Sequence, residues 1–231
     1  MDNNLLKLQD ILGYKFVKKN YLKQAITHTS YLNEQKLPPL SNNERLEFLG
    51  DAVLEIVISD YIFAFFSKMP EGEMTKLRAA VVCEETLASV ARKLKLGIFL
   101  KMGKGELATD GNNRDSTLCD LFEAFIGALY LDGGYNVAKN FILTHLKQEI
   151  HNKCELSWKI DPKTHLQEQL QKDSQEIIEY RVIAESGPDH NKEFTVELFH
   201  GETALSKGSG KNKKEAEQNA ARFAIEKYKL Q

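Results

Sequence analysis

Asn43-Glu44-Arg45-Leu46-Glu47-Phe48-Leu49-Gly50-Asp51-Ala52-Val53-Leu54-Glu55 is an apolar run that carries four acids. At about 100° per residue, Leu46, Leu49, Val53, Ile56 and Val57 fall on one arc of a helix. Glu44, Glu47, Asp51 and Glu55 fall on the opposite arc, where a solvated face would mix signs because like charges at i,i+4 repel. Only Arg45 offsets them nearby. Ser41-Asn42-Asn43-Glu44 fits a capping box with Ser41 as N-cap, so Glu44 has a structural reading beside a functional one. Glu55 reads equally well as a surface acid. Glu47 and Asp51 are harder to absorb, since they stand one turn apart around Gly50, and glycine inside a helix costs about 1 kcal/mol relative to alanine. Close approach of a ligand or a second backbone would explain the missing side chain. Phe48 lies beside the acid stripe, off the apolar arc. That position points to a second burial surface, supplied by the same chain or by a partner subunit.

A second acid pair follows downstream. The loop Asp110 to Ser116 leads into a helix expected from Thr117, carrying Asp120 and Glu123 at i,i+3 and then the small residues Ala124, Gly127 and Ala128. Thr117 to Asp120 fits a variant of the capping box, which gives Asp120 a structural reading. Glu123 has none, because Leu121-Phe122-Glu123-Ala124-Phe125-Ile126 is an apolar segment in which a lone carboxylate is costly. Two helices with acids one turn apart and glycines for close approach would bring Glu47, Asp51, Asp120 and Glu123 into one oxygen cage. Such a donor set suits Mg²⁺ or Mn²⁺, and metal-assisted attack on a phosphodiester is the chemistry that follows.

The remainder up to Asn152 reads as helical: residues 5 to 32 with a break at Gly13, then about 43 to 67, then 73 to 94 after the turn Met69-Pro70-Glu71-Gly72, and a closing helix from about Tyr135. His28-Thr29-Ser30-Tyr31 has no spacing that supports a nucleophile and base, and His28 is read as structural. Gly103 to Gly105 lacks the spacing of a nucleotide P-loop. Residues 1–152 are thus expected to form one all-helical domain, and 153–160, with the lone Trp158, a linker. From 161 the period changes. A helix at Pro162 to Lys172 precedes strands around Tyr180 to Ala184, Phe194 to Leu198 and Thr203 to Ser206, and a final helix starts within Gly208 to Glu217, giving an α-β-β-β-α module over 161–231. Lys207 to Lys214 holds four lysines and no acid at a glycine-rich helix start, which favours phosphate. With Gln167 and His190 it offers three contacts for a wide, shallow RNA groove.

Composition sets the limits. The net charge is −2, and neither residues 1–157 nor 158–231 carry a surplus of Lys and Arg over Asp and Glu, so nucleic-acid affinity must come from local placement of charge. Cys83, Cys119 and Cys154 are odd in number and widely spaced, indicating neither a disulfide framework nor a zinc site. No apolar run approaches the roughly 20 residues that span a bilayer, and Met1-Asp2-Asn3-Asn4 lacks the features of a signal peptide. A cytoplasmic protein without membrane association is expected.

Glu44 to Leu54 resembles the signature of bacterial ribonuclease III, and Asp120-Leu121-Phe122-Glu123-Ala124 with Gly127 to Asp132 resembles its second acidic motif. Lys163 to Glu168, Gly187-Pro188-Asp189-His190 and Lys213 to Glu217 resemble the double-stranded RNA-binding domain, and both modules stand in family order. The resemblance implies a homodimeric endonuclease that cuts double-stranded RNA with Mg²⁺ (Mn²⁺ substituting), leaving 5′-phosphate and 3′-hydroxyl ends with short 3′ overhangs and serving in the processing of rRNA precursors and other structured transcripts. It implies Glu47, Asp51, Asp120 and Glu123 as metal ligands, with Asp51 and Glu123 the most sensitive, and Glu44 and Glu71 as auxiliary acids. It implies Phe48 at the dimer interface and Thr164, Gln167, His190, Lys211, Lys213 and Lys214 as RNA contacts. Thr117, in place of an aliphatic residue, and Glu179, where proline is common, are the departures. The rival readings are an RNA-binding protein whose helical part is only a dimerisation platform, which has no use for four converging acids, and a metal phosphohydrolase of small substrates, which has no use for the RNA-binding tail.

Overall fold

The computed structural model describes residues 3–160, 162–173, 176–188 and 192–228. The chain divides into two compact units, Met1–Lys153 and Cys154–Gln231. Helices α1 (Asn3–Leu12), α2 (Lys19–Ala25) and α3 (Thr29–Gln35) lead to α4 (Glu44–Phe65), which is followed by α5 (Glu71–Val82), α6 (Glu84–Lys93), α7 (Lys104–Ala108), α8 (Asp115–Gly133) and α9 (Tyr135–Ile160). The second unit holds α10 (Pro162–Asp173), β1 (Ile178–Ser186), β2 (Glu193–His200), β3 (Thr203–Gly210) and α11 (Lys213–Tyr228). No helix among the described residues is long and apolar enough to cross a membrane.

The core of the first unit is the crossing of α4 and α8. From α4 it takes Leu46, Val53, Leu54, Val57, Ile58 and Ile62, and from α8 Leu118, Leu121, Phe122, Phe125, Ile126 and Leu129, all buried. The two helices meet backbone to backbone. A Cβ on Gly50 would sit 1.9 Å from the carbonyl oxygen of Glu123, and one on Gly127 would sit 2.2 Å from that of Leu46. Each glycine thus leaves room for the opposite main chain, which answers why the first helix tolerates a helix-weakening residue.

Several local expectations are corrected. Ser41 is not the cap of α4: its hydroxyl donates to Pro38 O at 2.7 Å, and the N-cap is buried Asn43, whose N–H donates to Thr27 O at 2.9 Å. Tertiary anchoring replaces the capping box. The helix expected between Gly13 and residue 32 breaks at Ile26, because the next residue, Thr27, bridges to Lys101. Ile56, placed on the apolar arc, is 58% exposed, and Leu54 and Ile58 are buried in its stead. Glu71 begins α5 instead of lying in a turn. α8 begins two residues before Thr117, which is buried inside it, so Asp120 is not in the first turn. The stretch 153–160, expected as a linker, is helical as the end of α9, and the boundary between the two units falls at its start.

In the second unit the sheet has the order β1-β2-β3, antiparallel throughout. One face packs Leu198 and Leu205 with Leu166 of α10 and Ala220, Ala221 and Ala224 of α11. β3 extends to Gly210, four residues beyond expectation, and α11 starts only at Lys213. Gly208 explains the overrun, since a Cβ there would meet Ala220 N at 2.1 Å, so β3 lies directly against α11.

Candidate active site

Glu47 and Asp51 project from α4, and Asp120 and Glu123 from α8, at the crossing fixed by Gly50 and Gly127. Asp51 is exposed, while Glu47, Asp120 and Glu123 are partly buried. Their charges act on one another across the crossing. Burial first, and then the charges of Asp51, Glu47 and Asp120, push the Glu123 carboxyl up to about 8, against a weak lowering by the Cys119 thiol, whose Sγ lies 3.9 Å from Oε1. Burial, followed by Asp120, Glu44 and Asp51, raises Glu47 to about 7. Asp120 is raised by burial and by Glu84, and is pulled back by His28. The Cys119 thiol is pushed up by burial and the same acids, so it is neutral and a poor nucleophile.

Four carboxylates held where three resist ionisation amount to an unbalanced negative site. All donors are oxygens, the chemistry of a hard divalent cation. Among the described residues, no three acidic, imidazole or thiol groups already stand close enough together to hold a metal ion. Glu44 is exposed and adds its charge to Glu47. Glu71 is elsewhere. It accepts from Thr75 Oγ1 at 3.0 Å and lines an apolar groove with Leu49, Ile56, Phe63 and Met74. Phe48 stands 81% exposed on the neighbouring surface of α4. Sequence reasoning missed Glu84 and His28, which come from α6 and from the break before α3. Neither has any periodic relation to the acid helices.

The raised carboxyls set a pH dependence. A carboxyl whose folded pKa exceeds its unfolded value stabilises the fold fully below the unfolded value, and that stabilisation is lost as pH rises through the folded one. For Glu47 and Glu123 the window runs from about 4.5 to about 8. In chelator, stability is therefore expected to fall by on the order of 2 kcal/mol between pH 5 and 9, less than full linkage because both carboxyls are only partly buried. Thermal melts across that range check it, and a Glu47→Gln, Glu123→Gln double variant with an equally steep fall would assign the loss to other groups.

In the second unit Lys211, Lys213 and Lys214 are exposed at the start of α11 and Gln167 is exposed on α10, whose Thr164 is half-buried. Asn212 Oδ1 accepts from Glu215 N at 2.9 Å, and Glu215 Oε2 accepts from Lys211 N at 2.8 Å, a reciprocal cap. Lys207 is engaged by Glu197 at 3.4 Å and Lys213 by Glu185 at 4.0 Å, both at the surface. His190 lies outside the described residues, as does the side chain of Trp158.

Residues 18–150 match the family model described as ribonuclease-III-like, and 162–228 match the double-stranded RNA binding motif. Ribonuclease 3 of Oceanobacillus iheyensis is 49% identical over 219 residues, covering 95% of this chain and 96% of the relative. That of Listeria monocytogenes serovar 1/2a is 45% identical, covering 97% and 98%. A solved nuclease domain of ribonuclease III from Campylobacter jejuni, described for flexibility in a region involved in dimer formation, is 43% identical. It covers 62% of this chain and 95% of its own with a TM-score of 0.57. The acid crossing and the α-β-β-β-α unit thus stand in a known setting, and the chain belongs to the ribonuclease III family, as an endoribonuclease with a helical nuclease domain and a double-stranded RNA-binding domain.

Proposed function

We propose that this enzyme hydrolyses phosphodiester bonds of double-stranded RNA with Mg²⁺ held by Glu47, Asp51, Asp120 and Glu123, leaving 5′-phosphate and 3′-hydroxyl ends with short 3′ overhangs. The observation that carries this reading is the mutual charge penalty of carboxylates from two helices whose separation is fixed by backbone contact. When bound, the cation supplies Lewis acidity and neutralises carboxylate and phosphate charge. The chain's own part is positional. α4 and α8 hold two acids each on either side of the crossing, and Glu123, the most strongly raised, must give up its proton for the cage to load. Glu44 adds negative potential at the edge of the cage and is assigned an auxiliary role.

The second unit holds the duplex. Lys211, Lys213 and Lys214 gather where the dipole of α11 favours anions, an arrangement suited to a phosphate. Thr164 and Gln167 on α10, with His190, are assigned to the groove contacts. Processing of rRNA precursors and other structured transcripts in the cytoplasm is the expected setting. End-labelled duplex RNA incubated with the protein in Mg²⁺, in Ca²⁺ and in chelator tests the reaction. Mg²⁺-dependent fragments with 3′-hydroxyl ends are expected, and binding without fragments in any divalent metal would favour a binding platform.

The working state is proposed to be a homodimer. Phe48 protrudes beside a groove of about 1050 Å³ lined by Leu49, Ala52, Ile56, Phe63 and Met74. A ring and an apolar groove on one surface are self-complementary under a two-fold axis. Glu71 on the groove wall would lie at that joint. Phe48→Asp is expected to sediment as monomer where the parent sediments as dimer. An unchanged dimer would remove Phe48 from the interface.

A further inference from the structure

Among the described residues that line the groove beside Phe48, Arg78 alone is basic, and Asp60 and Glu71 are acids. Arg78 comes from α5, is half-buried, and its Nη1 donates to Ser59 Oγ of α4 at 3.0 Å. Among the described residues it forms no ion pair, while Asp60 is engaged by Lys139 and Glu71 by the Thr75 hydroxyl. A guanidinium carries five N–H donors, so a half-buried one whose side-chain hydrogen bond goes to a neutral hydroxyl is short of an acceptor and of a countercharge. Glu44 and Glu55, on the Phe48 surface of α4, are exposed and likewise form no ion pair among the described residues. Glu55 is one turn from Ser59, yet it is not paired with Arg78. Glu44 stands fifteen residues before Ser59, about 22 Å along the helix, so only another copy of the chain can bring it to Arg78.

The helix geometry says where such a copy would place it. Glu44, Phe48, Glu55 and Ser59 lie within about 60° of one another around α4, on the side where Ser59 meets α5. Two copies related by a two-fold axis across α4 set the two helices antiparallel, each side facing the same side of its copy. A partner ring seated at Ile56, midway along the stretch from Leu49 to Phe63 that lines the groove, puts that axis at Ala52. Ala52 is small and exposed, which lets the helices close there. In this register the partner's Glu44, one turn before its ring, falls one turn beyond Ile56, at Ser59 and the guanidinium bound to it.

We propose that Arg78 forms an ion pair with the partner's Glu44 across the homodimer interface, once on each side of the two-fold axis. The proposal rests on the dimer reading above. The pair gives the guanidinium its countercharge and fixes the register of the two α4 helices, since a slip of one turn leaves Glu44 opposite Phe63 or Ile56 instead. Sedimentation of the full chain over a range of concentration and salt tests it. Arg78→Glu and Glu44→Arg are each expected to raise the dimer dissociation constant at least about tenfold, and the double variant to return it to within about threefold of the parent. Glu44→Gln keeps the test open if the Arg78 variant folds poorly, because Glu44 is exposed in the single chain. It is expected to weaken the dimer about fivefold and to flatten its salt dependence. Parent-strength dimers in both single variants, losses that simply add in the double variant, or recovery of Arg78→Glu by Glu55→Arg instead of Glu44→Arg would overturn the pair and leave the dimer reading intact. A parent that sediments as monomer would overturn both.

Discussion

Glu123→Gln is expected to slow single-turnover cleavage of duplex RNA by about a thousandfold or more while changing duplex affinity in Ca²⁺ by less than twofold. A thousandfold corresponds to about 4 kcal/mol of barrier, the scale expected when a cation that stabilises developing charge is lost. The amide keeps the shape of the side chain, so packing around Phe122 and Ile126 is undisturbed. It also removes the carboxyl that burial and three neighbouring acids push up to about 8. The same variant should therefore melt higher than the parent at pH 8 in chelator. Gain in stability with loss of reaction is the pattern of a functional site held against its own electrostatics. Unchanged cleavage would take Glu123 out of the reaction, and a lower melting point would show that its charge is compensated.

Gly50→Ala is expected to cost about 4 kcal/mol or more of stability. The new methyl would lie 1.9 Å from the Glu123 carbonyl oxygen and 3.0 Å from Gly127 N, both main-chain atoms within a buried helix, so neither can swing aside. Relief requires separating α4 from α8, and with them the two acid pairs. Gly72→Ala is the control. It too lies within a helix, but the added methyl meets nothing within 4 Å, so helix propensity alone makes it neutral or slightly stabilising. Chemical denaturation of both variants decides the matter. A Gly50→Ala protein within about 1 kcal/mol of the parent would mean that the helices adjust at little cost, and that glycine there is not required by the crossing.

What the sequence disclosed was whatever rests on near-neighbour periodicity. The acids on α4 and α8 recur at three and four residues, and Gly50 announces a close approach, so the crossing could be inferred from two separate stretches. Phe48 stood out by its angle alone. What escaped depended on partners distant in the chain. Ser41 looks like a cap until Thr27 O takes the N–H of Asn43. His28 looks idle until Ser30 and Gly103 lock its ring. Glycine at 208 and 210 read as helix-start punctuation, because nothing local says that Gly208 lies against Ala220 N. Residues 153–160 read as linker, although the helical backbone continues through them.

α8 is buried along most of its length, from Thr117 to Leu129, with only Asp120 and Glu123 reaching partial solvent. Its amides should therefore be among the slowest in the first unit to exchange with deuterium, opening only when that unit unfolds. Half of the proposed ion cage thus rides on a helix buried along most of its length. Any adjustment made when RNA or a cation arrives must fall to side-chain torsions of these acids, or to the more exposed flank of α4. The proposed ion affinity would then depend mainly on rotamer populations of these acids.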